Sequence, residues 1–465
     1  MVKNRMQANL YISENGNLGK LLVIVMYVLA MVLLAGCAPN KSFRTEYVQC
    51  AGSKLDEGEC GKHAIQEYVD EARPNARYAL GIIEFDNSGI LFDRVQMHKV
   101  LEYVQRESER SHLLMVVFIH GWKHNAEVGD DNVMDFREVL IRISERETAL
   151  AKSDKLPRDP RPVIGLYLGW RGVSVTLPLI RQVTFWERKQ RAHLAGERGM
   201  GEVLYRLENI RRDKNAKKEK NAKNAQKKRT RLVIIGHSFG GAALNSALLR
   251  GIEANFLQAS RSPGNKGPAM PSTEGIGDLV VLINPAFEAT RFTTMWNLAE
   301  ERKSFPKEQR PLLLVLTAEK DQANKRFFPF GRWISTVFQK YTNTEQKKAD
   351  RRTLGHYEAY ITHTLKDKPF PDTFDVEKCR FTGVDAKVDE MENLRRVVVG
   401  WDDKAPGKAM EFVGSELTHL ADTTSPRNPF LIVRVLGKKI IPNHTDISGC
   451  RVQRFLQDFI SLSLR

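Results

Sequence analysis

The chain has 465 residues, of which 42% are hydrophobic, and carries 72 Lys and Arg against 56 Asp and Glu, a net charge of +16. That balance excludes an acidic or a low-complexity disordered chain and leaves room for one large elaborated domain with a sizeable core. The charge is uneven: Arg211–Arg231 alone holds eleven basic residues and two acids. With no aromatic residue interleaved, this run reads as a solvated charged extension or a disordered insertion, or as a contact for anionic lipid or envelope polymer. It does not read as a nucleic-acid site.

At the N-terminus Lys3, Arg5 and Lys20 precede the apolar run Leu21–Ala35. The run is short for a spanning helix and suits the apolar segment of a secretory signal. It ends in Leu34-Ala35-Gly36-Cys37, which resembles a bacterial lipobox. The resemblance implies cleavage before Cys37, lipidation there, and an exported chain tethered to a membrane. Ala38, standing where aspartate would retain such a protein, implies the outer membrane, facing the periplasm. An uncleaved signal anchor is the alternative, and either reading exports the rest of the chain. The expected organisation is a signal over 1–36, a polar leader over 37–74, and one domain over 75–465. Four cysteines remain, an even number that suggests disulfides in an exported chain. Cys50 and Cys60 are close in sequence, which leaves Cys379 with Cys450. Neither pair has metal-site spacing with histidine, so no metal is expected.

Along the domain, Tyr78–Phe85 and Ile90–Phe92 flank the turn sequence Asp86–Gly89 and predict a hairpin. Val95–Glu109 has helical spacing. Leu113–Ile119 is a buried strand by its unbroken apolar run, and it leads into His120-Gly121-Trp122. A helix over Val133–Glu147 and a strand over Val163–Leu168 follow. Trp186–Ile210 predicts one long helix, within a stretch at about 173–230 that is longer than a crossover needs and suits a cap or lid. Leu232–Ile235 is a strand and Ala242–Leu249 a helix, with Gly236-His237-Ser238-Phe239-Gly240 between them. Leu257–Gly277 reads as a surface loop, Asp278–Ile283 and Leu312–Leu316 as strands, and Ala289–Arg302 as a helix. The segment at about 325–421 is irregular and reads as a second insertion. Phe430–Val435 is a last strand and Val452–Leu464 a closing helix. Strands alternating with helices predict an α/β fold with a mostly parallel sheet covered on both faces.

A serine at the apex of a strand–turn–helix has a strained backbone and an exposed hydroxyl, so Ser238 is the candidate nucleophile. Its activation needs a histidine, and the histidine needs a carboxylate. The strand ending at Leu316 offers Asp321, with Glu319 as the alternative acid. His444 follows the last strand and is the preferred base, with His356 and His363 as alternatives. Backbone N–H groups of Trp122 and Phe239 are the candidate oxyanion donors. Phe327, Phe328, Phe330 and Trp186 are candidate pocket walls, though core packing is the commoner role.

With these elements in order, Val116–Ala126, Leu232–Leu244, Leu312–Arg332 and Phe430–Ile447 resemble the α/β-hydrolase superfamily. More narrowly they resemble its uncharacterised bacterial esterase/lipase-like branch. The resemblance implies Ser238 attack on an acyl carbonyl, an acyl-enzyme, hydrolysis by water, and no cofactor. The expected substrate is a carboxylic ester or a lipid. An acyltransferase, or a non-catalytic envelope lipoprotein that uses the scaffold for binding, is the alternative.

Overall fold

The computed structural model describes residues 23–24, 26–27, 40–153, 158–172, 185–217, 229–260, 272–302, 304–403, 405, 407–420, 424–425 and 427–463. The lipobox with Cys37 and the middle of the basic run lie outside the described residues. Among the described residues no helix is long and apolar enough to cross a membrane, and no group of side chains is arranged to hold a metal ion.

Fourteen strands are present among the described residues: β1 Glu46–Gly52, β2 His63–Tyr68, β3 Tyr78–Phe85, β4 Leu114–Ile119, β5 Val163–Trp170, β6 Arg231–His237, β7 Leu279–Ile283, β8 Leu313–Ala318, β9 His363–Asp367, β10 Phe374–Asp375, β11 Arg380–Phe381, β12 Ala409–Phe412, β13 Ser415–His419 and β14 Phe430–Val435. Twelve form one sheet in the order β1-β2-β3-β5-β4-β6-β7-β8-β14-β9-β13-β12. From β3 to β9 neighbouring strands are parallel, while β2 against β3, β13 against β9 and β12 against β13 are antiparallel.

The apolar runs explain the parallel centre, because β3 to β8 are buried on both faces. Alternate residues feed two cores. Met115 and Val117 of β4, with Leu232 and Ile234 of β6, face helices α1 (Arg94–Arg110), α4 (Gly201–Ala216) and α5 (Phe239–Ser260). Val116 and Phe118, with Val233 and Ile235, face α2 (Asp131–Ser153), α9 (Ala386–Asp402) and α10 (Cys450–Ser463). Helix α3 (Phe185–Ala195) joins α4 through a π-turn at Gly196–Met200. Three further helices are α6 (Thr293–Arg302), α7 (Phe328–Ser335) and α8 (Thr344–Arg351). This is an α/β fold with a mostly parallel central sheet and helices on both faces.

Several elements differ from expectation. The leader is part of the body: β1 and β2 extend the sheet, and Glu84 accepts hydrogen bonds from Ser42 Oγ (2.6 Å), Phe43 N (2.9 Å) and Arg44 N (2.8 Å). The buried Arg44 guanidinium also bonds to Ala126 O (2.8 Å) and Asp56 (3.1 Å). The hairpin after β3 shrinks to a single bridge, Phe85 to Leu91, because β3 is already paired with β2 and β5. The described part of the 173–230 stretch forms core helices and no lid. Ala192, Met200, Val203, Leu204 and Leu207 are buried against the sheet and α5, and each of these side chains larger than alanine stabilises by roughly 1.5–3 kcal/mol. The 325–421 segment is no detached insertion either, since it supplies β9, β12 and β13 to the main sheet. Helix α5 continues to Ser260, and Thr273 and Ile276 of the expected surface loop are buried.

Both cysteine pairs, Cys50–Cys60 and Cys379–Cys450, are disulfide-bonded, with Cα atoms 5.7 and 5.5 Å apart.

Candidate active site

After β4 the chain crosses to β5 on one side and then to β6 on the other. Such a reversal opens a crevice at the carboxyl ends of the strands. Ser238 stands there, between β6 and α5, with φ at +55°, a left-handed conformation that strains a residue with a side chain. The turn is held by Ser238 N donating to Ile283 O (3.0 Å) and by Ala286 N donating to Ser238 O (3.1 Å). Close approach requires glycine at 240, where a Cβ would overlap the Ile119 carbonyl. Gly121 meets the turn from the other side, since a Cβ there would lie 3.0 Å from Ser238 Cβ.

The structure brings Ser238, His444 and Asp321 together. Ser238 Oγ lies 2.7 Å from His444 Nε2, and His444 Nδ1 lies 2.8 Å from Asp321 Oδ2. With a carboxylate on Nδ1, the ring carries its proton there and Nε2 accepts from the serine hydroxyl. Asp321 is fully buried. Burial pushes its carboxyl up, but the His444 hydrogen bond and charge and the Asn324 N–H (3.1 Å) outweigh this and hold it below its usual value.

The alternative residues stand elsewhere. Glu319 accepts from Gly437 N (3.2 Å) across the neighbouring loop. His356 faces Thr353 Oγ1 (3.1 Å), and burial lowers its pKa to about 4. His363 faces Thr362 Oγ1 (2.8 Å) and packs edge-on against His419. Phe327 and Phe330 are exposed to solvent, while Phe328 is buried against Trp186.

Trp122 follows Gly121 and packs against Phe185 and Phe239, with ring centroids 5.4 and 6.5 Å away. Phe239 opens α5, so its N–H has no carbonyl one turn behind it within the helix. Among the described residues, no backbone carbonyl accepts from the Trp122 N–H. The loop carrying Trp122 is fixed at both ends. His120 Nδ1–H donates to Gly121 O (2.9 Å), and its Nε2 accepts from Trp170 N (3.0 Å). Asp130 accepts from Asn125 N (3.2 Å) and Asn132 N (2.9 Å).

Three further residues belong to the site and were not singled out from the sequence. His237 Nε2–H donates to His444 O (2.8 Å), and burial holds its imidazole neutral, with a pKa of about 3. Asn284, at φ +46°, donates from Nδ2 to Asn443 O (3.2 Å) and His444 O (3.0 Å) and accepts from Ala318 N (2.9 Å). Asn324 Nδ2 donates to Asn284 O (3.0 Å). Together they fix the His444 loop to the ends of β6, β7 and β8. The available signals were a histidine beside the serine and an Asn-Pro pair closing a strand.

No protein-family model matches the chain, and no curated protein matches it. Among solved structures it is similar to phospholipase PlaB from Legionella pneumophila, at 12% identity and a TM-score of 0.24. The similarity covers 71% of this chain and 54% of that one, so the chain spans about half the length of the phospholipase.

Proposed function

We propose that the protein is a membrane-tethered serine hydrolase that cleaves carboxylic esters. The observation that carries this reading is the continuous chain from Ser238 Oγ through His444 to Asp321, at 2.7 and 2.8 Å, on a strained turn at the sheet's switch point. Ser238 Oγ attacks the acyl carbon as His444 Nε2 takes its proton. Asp321 keeps the ring in the required tautomer and stabilises the imidazolium. The oxygen that becomes negative is stabilised by the Trp122 and Phe239 N–H groups, a contribution of about 3–4 kcal/mol per donor in comparable sites. His444 then protonates the leaving alcohol. Water, activated by the same nitrogen, releases the acid from the acyl-enzyme.

The two disulfides support export, because such bonds persist in oxidising compartments. A lipidated Cys37 would tether the body closely, because the chain is bound to Glu84 from Ser42 onward. The test is intact-protein and peptide mass spectrometry after mixing with p-nitrophenyl butyrate. A butyryl adduct on the Ser238 peptide, absent in Ser238→Ala, is expected. Product analysis with and without an added alcohol separates hydrolysis from acyl transfer. Turnover that survives in Ser238→Ala contradicts the proposal.

A further inference from the structure

Helix α7 is apolar on both sides. Its inner side is anchored: Phe328 packs on Trp186 (5.5 Å), and Arg332 pairs with Asp350 (2.7 Å) and Glu288 (3.2 Å). On its outer side and just beyond, Phe327, Phe330, Trp333, Ile334, Val337 and Phe338 are exposed, Phe327 by 70% and Phe338 by 98%. Contiguous exposure of such side chains marks an interaction surface.

The surrounding charge identifies the partner. Within residues 320–340 the exposed charged side chains are Lys320, Lys325, Arg326 and Lys340, and no acid in that stretch is exposed. Lys325, Arg326 and Lys340 form no ion pair with a described residue. Exposed phenylalanine and tryptophan in a segment whose free charges are cationic complement an anionic lipid surface, where rings enter the headgroup boundary and cations meet phosphates.

Position connects this face to the candidate site. The turn that carries Asp321 runs directly into α7, with Lys325 N donating to Asp321 O (3.0 Å). A file of rings leads inward from Phe328 through Trp186 and Phe185 to Phe239, with successive centroids 5.5, 5.2 and 4.8 Å apart. Ser42 is bound at Glu84, at the carboxyl end of β3 and thus on the same edge of the parallel sheet as Ser238. It lies five positions after Cys37, a reach of at most about 18 Å.

We propose that the apolar face of residues 327–338 docks on an anionic bilayer and presents the Ser238 site to it, so that the esters cleaved are lipids of that bilayer. The substrate half rests on the serine-hydrolase reading; the docking half does not.

The test is amide hydrogen exchange of the full chain, with vesicles of phosphatidylcholine alone or mixed with phosphatidylglycerol. A readout confined to residues 323–340 is independent of any N-terminal tether. Phosphatidylglycerol vesicles are expected to slow exchange there at least about tenfold, and added salt to weaken the effect. Trp333→Asp with Phe338→Asp should abolish that protection. The same variant should lower turnover of a vesicle-borne ester at least tenfold and leave turnover of a soluble short-chain ester unchanged. Equal protection on the two vesicle types overturns the proposal. So does protection that grows with protein concentration without lipid, which would mean the face covers a second copy. Protection with both esters left intact would sink the hydrolase reading and keep the docking face.

Discussion

Asn284→Ala tests how the fold holds the base. The change removes two donors to the His444 loop, at 3.2 and 3.0 Å, and the acceptor 2.9 Å from Ala318 N. Ala318 is buried, so its N–H loses its partner without gaining water, at a cost of about 1–3 kcal/mol. The +46° φ adds about 1–2 kcal/mol, because alanine tolerates that region less well than asparagine. Urea unfolding should therefore show a loss of about 3 kcal/mol. His237 still holds His444 O at 2.8 Å, so the loop loosens without leaving. Misplacement of the imidazole should lower kcat/KM on a soluble ester about ten- to hundredfold, mostly in kcat. Asn284→Gly removes the strain and restores none of the three hydrogen bonds, so it should regain about 1 kcal/mol and none of the activity. Wild-type kcat/KM in Asn284→Ala, or full activity in Asn284→Gly, would refute the positioning role.

Asp321→Asn should lower kcat about 10³–10⁴-fold with little change in KM, because the amide no longer fixes the His444 tautomer; a loss below tenfold in steady-state kinetics contradicts this. Acid should destabilise the fold early. Burial holds His120 and His356 at about 4 and His193 and His237 at about 3, below the 6.5 of an unfolded chain. Their stability contribution is complete above pH 6.5 and is lost as pH falls toward those values, at up to about 1.4 kcal/mol per pH unit for each histidine. A flat urea midpoint between pH 7 and 5 contradicts it. Replacing Cys379 and Cys450 by alanine should cost about 4 kcal/mol, since the bond closes a loop across 71 residues; an unchanged urea midpoint would argue against that cost.

The centre of the fold was readable because strands buried on both faces are unbroken apolar runs, as in Leu114–Ile119 and Leu279–Ile283. The rim was not. Strand β1 is exposed or half-buried along its length, and β9 and β13 carry Lys366, Asp367 and Glu416, so no apolar run announces them. Of the site, Ser238, Asp321 and His444 could be located because each closes or follows a recognisable strand. His237, Asn284 and Asn324 act on backbone groups 34–207 residues away, contacts that leave no local pattern.

The central claim is an activated serine, and labelling with a fluorophosphonate probe tests it most directly. Wild-type protein should be labelled on Ser238, Ser238→Ala should not, and His444→Ala should label far more slowly. Folded wild-type protein that takes no label, or a Ser238→Ala variant that labels as well as wild type, would contradict the account.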